Sequence, residues 1–132
     1  MTGKYSRTVI SSARVAKSKS PLSEGVIHGN MIYLSGQLGR NPQTGELENS
    51  FEKQAERVLD NIQKILEDAG SSMEMVLKTT IFVVDPQKVA ILNPIYRKFF
   101  SEPYPARSCV TVAALGQNAE IEIEAIAVIP KC

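Results

Sequence analysis

The 132-residue sequence predicts an α+β or α/β domain in which two helices cover one face of a sheet. Three observations carry this reading. Apolar residues recur at helical spacing in two segments, between Ala55 and Ala69 and between Val89 and Phe100. Runs rich in β-branched and aliphatic residues, bounded by turn signals, lie before, between and after those segments. The resulting order is strands, helix, strand, helix, two strands, and such an order packs helices against a sheet.

Residues 5–11 and 25–38 read as strands, with a turn at Gly29–Asn30 dividing the second stretch into two extended pieces. "RNPQTGE" at 40–46 is a polar turn. The period then changes: Ala55, Val58, Leu59, Ile62, Ile65, Leu66 and Ala69 share a helical stripe. Asn49 or Ser50 is placed to cap that helix and Gly70 to stop it. "MVLKTTIFVV" at 75–84 is the next strand. Asp85–Pro86 opens a second helix, Asp at the cap and Pro in the first turn. It runs to about Phe100 and buries Val89, Leu92, Tyr96, Phe99 and Phe100. Two strands near 106–114 and 120–129 follow, and "ALGQNAE" between them is expected to form a tight reversal.

Several of these strands are apolar on both faces, among them "MIYL" at 31–34, "IFVV" at 81–84 and "IAVI" at 126–129. Such strands need cover on both faces. Two helices protect only one, so the second face is expected to pack against further copies of the chain, with ligand sites between them.

Composition narrows the function classes. Hydrophobic residues are 43% and charged residues 22%, which describes one globular domain spanning 1–132. The net charge is +1, from 15 basic and 14 acidic residues, and leaves no electrostatic footprint for nucleic acid. The opening "MTGKYSRTVI" has no signal-peptide apolar stretch and no segment approaches a membrane span. Cys109 and Cys132 make a poor disulfide framework, which fits a reducing, cytoplasmic setting. One histidine and no CxxC motif argue against a structural zinc site.

Arg107 is the first candidate for chemistry, because "PARSCV" plants a guanidinium at the start of an apolar strand. A charge there requires a partner. One reading is a salt bridge to a carboxylate at the sheet edge. The other is a ligand anchor, since guanidinium offers a planar fork matched to a carboxylate. Glu120, Glu122 and Glu124 share a strand face by period two, and Ile126 and Val128 continue it. Carboxylates running into aliphatics suit the lip of a cleft, where a glutamate can move protons. His28 beside its turn reads as a surface residue. Cys109 lacks a base in sequence and reads as a small buried residue rather than a nucleophile. "SGQLG" at 35–39 lacks the lysine of a phosphate loop. Asn93 is a polar choice inside an apolar helix stripe.

"IYLSGQLG", "VLKTTIFVVD", "LNPIYRKFF", "YPARSCVTVAAL" and "IEIEAIAV", in that order, resemble the Rid (RidA/YjgF) family of reactive-intermediate deaminases from about Val9 to Val128. The resemblance implies a chorismate-mutase-like α+β fold: a six-stranded, mostly antiparallel sheet with two helices on one face. It implies a homotrimer whose sheets enclose a central barrel, with active sites at the subunit interfaces. The implied activity is hydrolysis of 2-imino acids, in equilibrium with 2-enamino acids, to 2-oxo acids and ammonia, without metal or other cofactor. It further implies that Arg107 clamps the substrate carboxylate and Glu122 handles the attacking water and departing amine. By the same resemblance Ser35 and Gly36 are expected to line the cleft, Asn93 to lie beside it, and the Cys109 backbone N–H to support the carboxylate. Ser20–Pro21–Leu22 departs from the family's Gly-Pro-Tyr, so Leu22 brings an apolar side chain where a hydroxyl is usual. "LGQNAE" also lacks the proline that often follows the leucine. Two alternatives accompany the deaminase expectation: a non-catalytic ligand sensor or chaperone-like member, which Leu22 favours, and the endoribonuclease or translation-inhibitor role described for the family.

Overall fold

A computed structural model describes residues 6–130. Tyr5, the expected start of the first strand, and Cys132 lie outside them. The chain folds into one mixed sheet with two helices packed on one face. Strands β1 (Thr8–Ile10), β2 (Gly25–His28), β3 (Met31–Leu34) and β4 (Gln37–Leu38) precede helix α1 (Phe51–Asp68). Strand β5 (Val76–Val83), helix α2 (Val89–Phe99) and strands β6 (Ala106–Thr111) and β7 (Ile121–Val128) follow. The strand order is β1-β2-β3-β7-β5-β6, with β4 also paired to β7. Every pairing is antiparallel except β5 with β6.

Helix α1 forms where its stripe requires it. Ser50 is the cap, its hydroxyl accepting from the Lys53 N–H at 3.2 Å. At the other end the Ser71 N–H donates to the Leu66 carbonyl at 2.8 Å and the Gly70 N–H to Glu67 at 3.1 Å. That pair of bonds is a Schellman closure, and it holds Gly70 at φ 88°. Ala55, Val58, Leu59, Ile62, Ile65 and Leu66 are fully or almost fully buried against Ile32, Ile81, Ile121 and Ile123 of the sheet. Asp85 accepts from the Gln87 N–H at 3.0 Å, but Pro86–Lys88 form a 3₁₀ turn and the α-helix proper begins at Val89. Leu92, Ile95 and Tyr96 are buried in α2, with Phe100 just beyond its end.

Two expectations are corrected. The sheet has seven strands rather than six, because the stretch 31–38 breaks at Ser35–Gly36 and pairs with β7 in two pieces. The Ser35 N–H turns away to the Glu24 carbonyl at 2.9 Å, which ends the ladder there. The segment "ALGQNAE" is not a tight hairpin, because β6 and β7 do not pair: they flank β5. The chain therefore crosses the end of β5, through a 3₁₀ turn at Gly116–Asn118 with Gln117 and Asn118 at positive φ.

The pleat decides which side chains the helices cover. Along β7 Ile121, Ile123, Ala125 and Ala127 are buried, whereas Glu122, Glu124, Ile126 and Val128 point to the other face. Val9, Tyr33 and Val110, all exposed, extend that uncovered face by register. No helix among the described residues is long and apolar enough to cross a membrane.

Gly70→Ala tests the Schellman closure. A Cβ at this position meets nothing within 4 Å, so the cost is the left-handed backbone alone. The expected loss is about 1–2 kcal/mol, read as a lower Tm with an unchanged denaturant m-value.

Candidate functional site

Arg107 is delivered by the β5–α2–β6 crossover. It pairs in register with Thr79 on the helix-covered side of the sheet. Its Nη2 donates to Oδ1 of Asn93 at 2.8 Å, and its guanidinium carbon lies 4.9 Å from the centre of the Tyr96 ring. No carboxylate among the described residues pairs with it, so the salt-bridge reading of this arginine fails within the chain. Lying over the ring takes up none of its N–H groups, and the bond to Asn93 uses one, which leaves most of the fork free. Tyr96 is in turn fixed from below: its hydroxyl lies 2.7 Å from that of Thr79, which is fully buried. Burial pushes the Tyr96 phenol above its ordinary value, outweighing the Thr79 hydrogen bond and the nearby Arg107 charge.

A cleft of about 460 Å³ opens in front of this group, lined by Asn93, Tyr96, Arg97, Tyr104, Arg107 and Cys109. Its lining holds two guanidiniums and no carboxylate. Cys109 is exposed on this wall rather than buried, because β6 is an edge strand with no neighbour beyond it. Asn93 loses its oddity: it is the amide that holds Arg107. Tyr96, Arg97 and Tyr104 were not marked by sequence reasoning as parts of a site. The available signal was the spacing of Asn93, Tyr96 and Arg97, which share one side of α2.

Glu122 stands on the opposite face of the sheet, in register with Phe82 of β5 and Leu38 of β4. With Leu22, Ser35, Gly36, Gln37 and Glu124 it lines a second cleft, of about 510 Å³. The break at Ser35–Gly36 makes room for the carboxylate, since a Cβ on Gly36 would collide with Glu122 itself. Ser35 secures the break by donating its hydroxyl to the Ser23 carbonyl at 2.6 Å. Leu22 is 50% exposed at the mouth of the cleft. Burial raises the Glu122 carboxyl above its ordinary value, and the like charge of Glu124 raises it further. Glu120, the third glutamate of the stripe, is instead paired with Lys88 at 2.5 Å.

The structure thus brings Arg107, Asn93 and Cys109 together in one cleft and Glu122, Ser35, Gly36 and Leu22 together in another. It does not bring the two sets together. Two strand spacings and three residues along the ladder separate the Arg107 and Glu122 backbones by roughly 14 Å, and their side chains leave opposite faces. His28 is exposed near neither cleft, its Nδ1 2.7 Å from the Ser6 carbonyl. Among the described residues no three His, Cys, Asp or Glu side chains converge to hold a metal ion.

Glu124→Gln removes the like charge and leaves the burial. Carboxyl-detected NMR titration is expected to show Glu122 titrating above the ordinary glutamate range in the wild type and at lower pH in the variant. An unmoved midpoint would remove Glu124 as a cause.

The family model described as Endoribonuclease L-PSP matches residues 11–129. Over 111 residues the chain is 48% identical to the 2-iminobutanoate/2-iminopropanoate deaminase of Escherichia coli (strain K12), covering 82% of this chain and 87% of that protein. The crystal structure of RidA from the Antarctic bacterium Psychrobacter sp. PAMC 21119 superposes with a TM-score of 0.90 at 41% identity, covering 92% and 99% of the two chains. That of E. coli TdcF with bound serine superposes with a TM-score of 0.87 at 40% identity, covering 92% and 98%. The five sequence blocks, the two-helix sheet and these likenesses agree: the chain belongs to the Rid family.

Proposed function

We propose that this protein is a 2-imino acid deaminase, hydrolysing 2-iminobutanoate, 2-iminopropanoate and similar imino acids to 2-oxo acids and ammonia. Its sites would form between subunits of a cyclic homotrimer, one subunit supplying the Arg107 cleft and its neighbour the Glu122 cleft. The observation that carries the reading is Arg107, an oriented guanidinium at a cleft with no carboxylate to pair with it. The two half-sites also complement each other, one bearing Arg97 and Arg107 with no carboxylate and the other the carboxylates of Glu24, Glu122 and Glu124 beside the single guanidinium of Arg40. The uncovered apolar sheet face supplies the surface that neighbouring subunits would bury.

Each residue then has a chemical task. Arg107 binds the substrate carboxylate through its free fork, with Asn93 fixing its angle and the Cys109 N–H adding a donor. The imine carbon is thereby presented to the Glu122 cleft, where the Ser35–Gly36 backbone and Leu22 form the wall. Glu122 takes a proton from water as the oxygen bonds to the imine carbon, and passes it to the nitrogen. Ionised again, Glu122 takes the hydroxyl proton of the resulting carbinolamine and gives it to the amino nitrogen. The C–N bond breaks, and the nitrogen leaves as ammonia while the C=O of the 2-oxo acid forms. Proton handling of this kind contributes about 10²–10⁴-fold. The raised carboxyl of Glu122 suits a group that must both take and give a proton. No cofactor enters these steps. A reducing, cytoplasmic compartment suits the free Cys109.

Leu22 favours a second reading, a sensor that binds 2-oxo acids at Arg107 without turnover, because an apolar side chain at the mouth of the Glu122 cleft can neither donate nor accept a proton. Coupling the protein to a threonine dehydratase and following 2-oxobutanoate separates the two. The deaminase reading expects faster release with the wild type. Arg107→Ala is expected to lower kcat/KM by roughly 10²–10⁴-fold, since each charged hydrogen bond lost costs about 1.5–3 kcal/mol. Binding of 2-oxobutanoate with no acceleration, restored by Leu22→Tyr, would establish the sensor instead.

A further inference from the structure

We propose that Thr79 and Tyr96 form a buried platform whose task is to orient Arg107, making Tyr96 a positioning residue for the substrate carboxylate. The inference rests on the deaminase reading and extends it to the layer beneath the anchor. Thr79, Ile81 and Val83 form one buried stripe of β5, and the two positions beyond Thr79 are aliphatic. Valine has nearly the shape of threonine, and phenylalanine that of tyrosine. A Val–Phe pair would fill the same volume without two hydroxyls to satisfy, and such a replacement is close to neutral or stabilising. The chain instead keeps two hydroxyls 2.7 Å apart in its core.

What the hydroxyl pair adds is direction. Phe100 packs on one side of the Tyr96 ring, with centroids 4.5 Å apart, and the Thr79 hydroxyl fixes its phenolic end. The ring is then held on one side and at its end, with the Arg107 guanidinium carbon over it. Asn93, three residues before Tyr96 on the same helix, takes one N–H of the guanidinium. A flexible arginine is thus restrained by a ring on its face and an amide at one corner, and the free part of its fork is aimed into the cleft.

The test is a double-mutant cycle read by isothermal titration with 2-oxobutanoate, in the intact oligomer, alongside the NMR of the Arg107 side-chain N–H groups. Tyr96→Leu is expected to weaken 2-oxobutanoate binding roughly tenfold and to abolish the ring-current shift of the Arg107 signals. In the Arg107→Ala background the same substitution should cost nothing further. Tyr96→Phe keeps the ring but loses the bond to Thr79, so it should bind 2-oxobutanoate several-fold more weakly than the wild type, as Thr79→Val does. Thr79→Val should raise KM several-fold with kcat little changed, the pattern of a lost ground-state contact. Tyr96→Leu costing the same affinity in both backgrounds would overturn the platform and make Tyr96 a direct ligand contact. A lowered Tm with unchanged binding and unchanged Arg107 signals would also overturn it, leaving a packing role only. Failure of the wild type to bind 2-oxobutanoate would sink the deaminase reading itself, and the platform with it.

Discussion

A β-strand can send consecutive side chains only to alternate faces, and that constraint shapes the whole arrangement. On β5 it turns Thr79, Ile81 and Val83 toward the helices and Thr80 and Phe82 away from them. The strands on either side inherit the division through their register. Arg107 falls on the helix side and Glu122 on the open side. A single copy of the chain therefore holds the two groups in separate clefts on opposite faces.

The uncovered sheet face acquires a purpose from the same division. On that side Tyr33 and Val110 are exposed and Phe82, Ile126 and Val128 half-buried, so the face is apolar and no helix covers it. Packing other copies there would remove that surface and carry the edge of one subunit toward the β6 edge of another. On the proposed arrangement the chemistry would need little from each partner. One would offer the Arg107 guanidinium, and the other a glutamate with a raised carboxyl and a chain break wide enough to hold it.

Much of this was legible in the sequence, for definable reasons. Helix α1 was readable because six buried aliphatic or alanine positions repeat at its period and Ser50 and Gly70 punctuate it. The two-faced strands were readable because aliphatics fill consecutive positions. Arg107 stood out as a charge in a strand, and the absence of a paired carboxylate among the described residues favours the ligand over the salt bridge. What the sequence hid depended on tertiary neighbours. The break at Ser35–Gly36 follows from the Glu122 carboxylate and the Glu24 carbonyl, both distant in sequence. The non-adjacency of β6 and β7 follows from β5 lying between them, which no turn signal at 113–120 encodes. Tyr96 looked like ordinary core because its hydroxyl partner lies seventeen residues earlier on another element.

Subunit complementation tests the shared-site arrangement most directly. Arg107→Ala and Glu122→Gln are each expected to be inactive, and the two would be co-expressed with different tags and purified as mixed oligomers. With the site shared between neighbours of a cyclic trimer, every mixed oligomer holds one intact pairing of Arg107 and Glu122 among its three sites, about a third. Activity near that fraction of wild type is the predicted result. Mixed oligomers as inactive as their parents would mean that both residues serve from the same chain, contradicting the account.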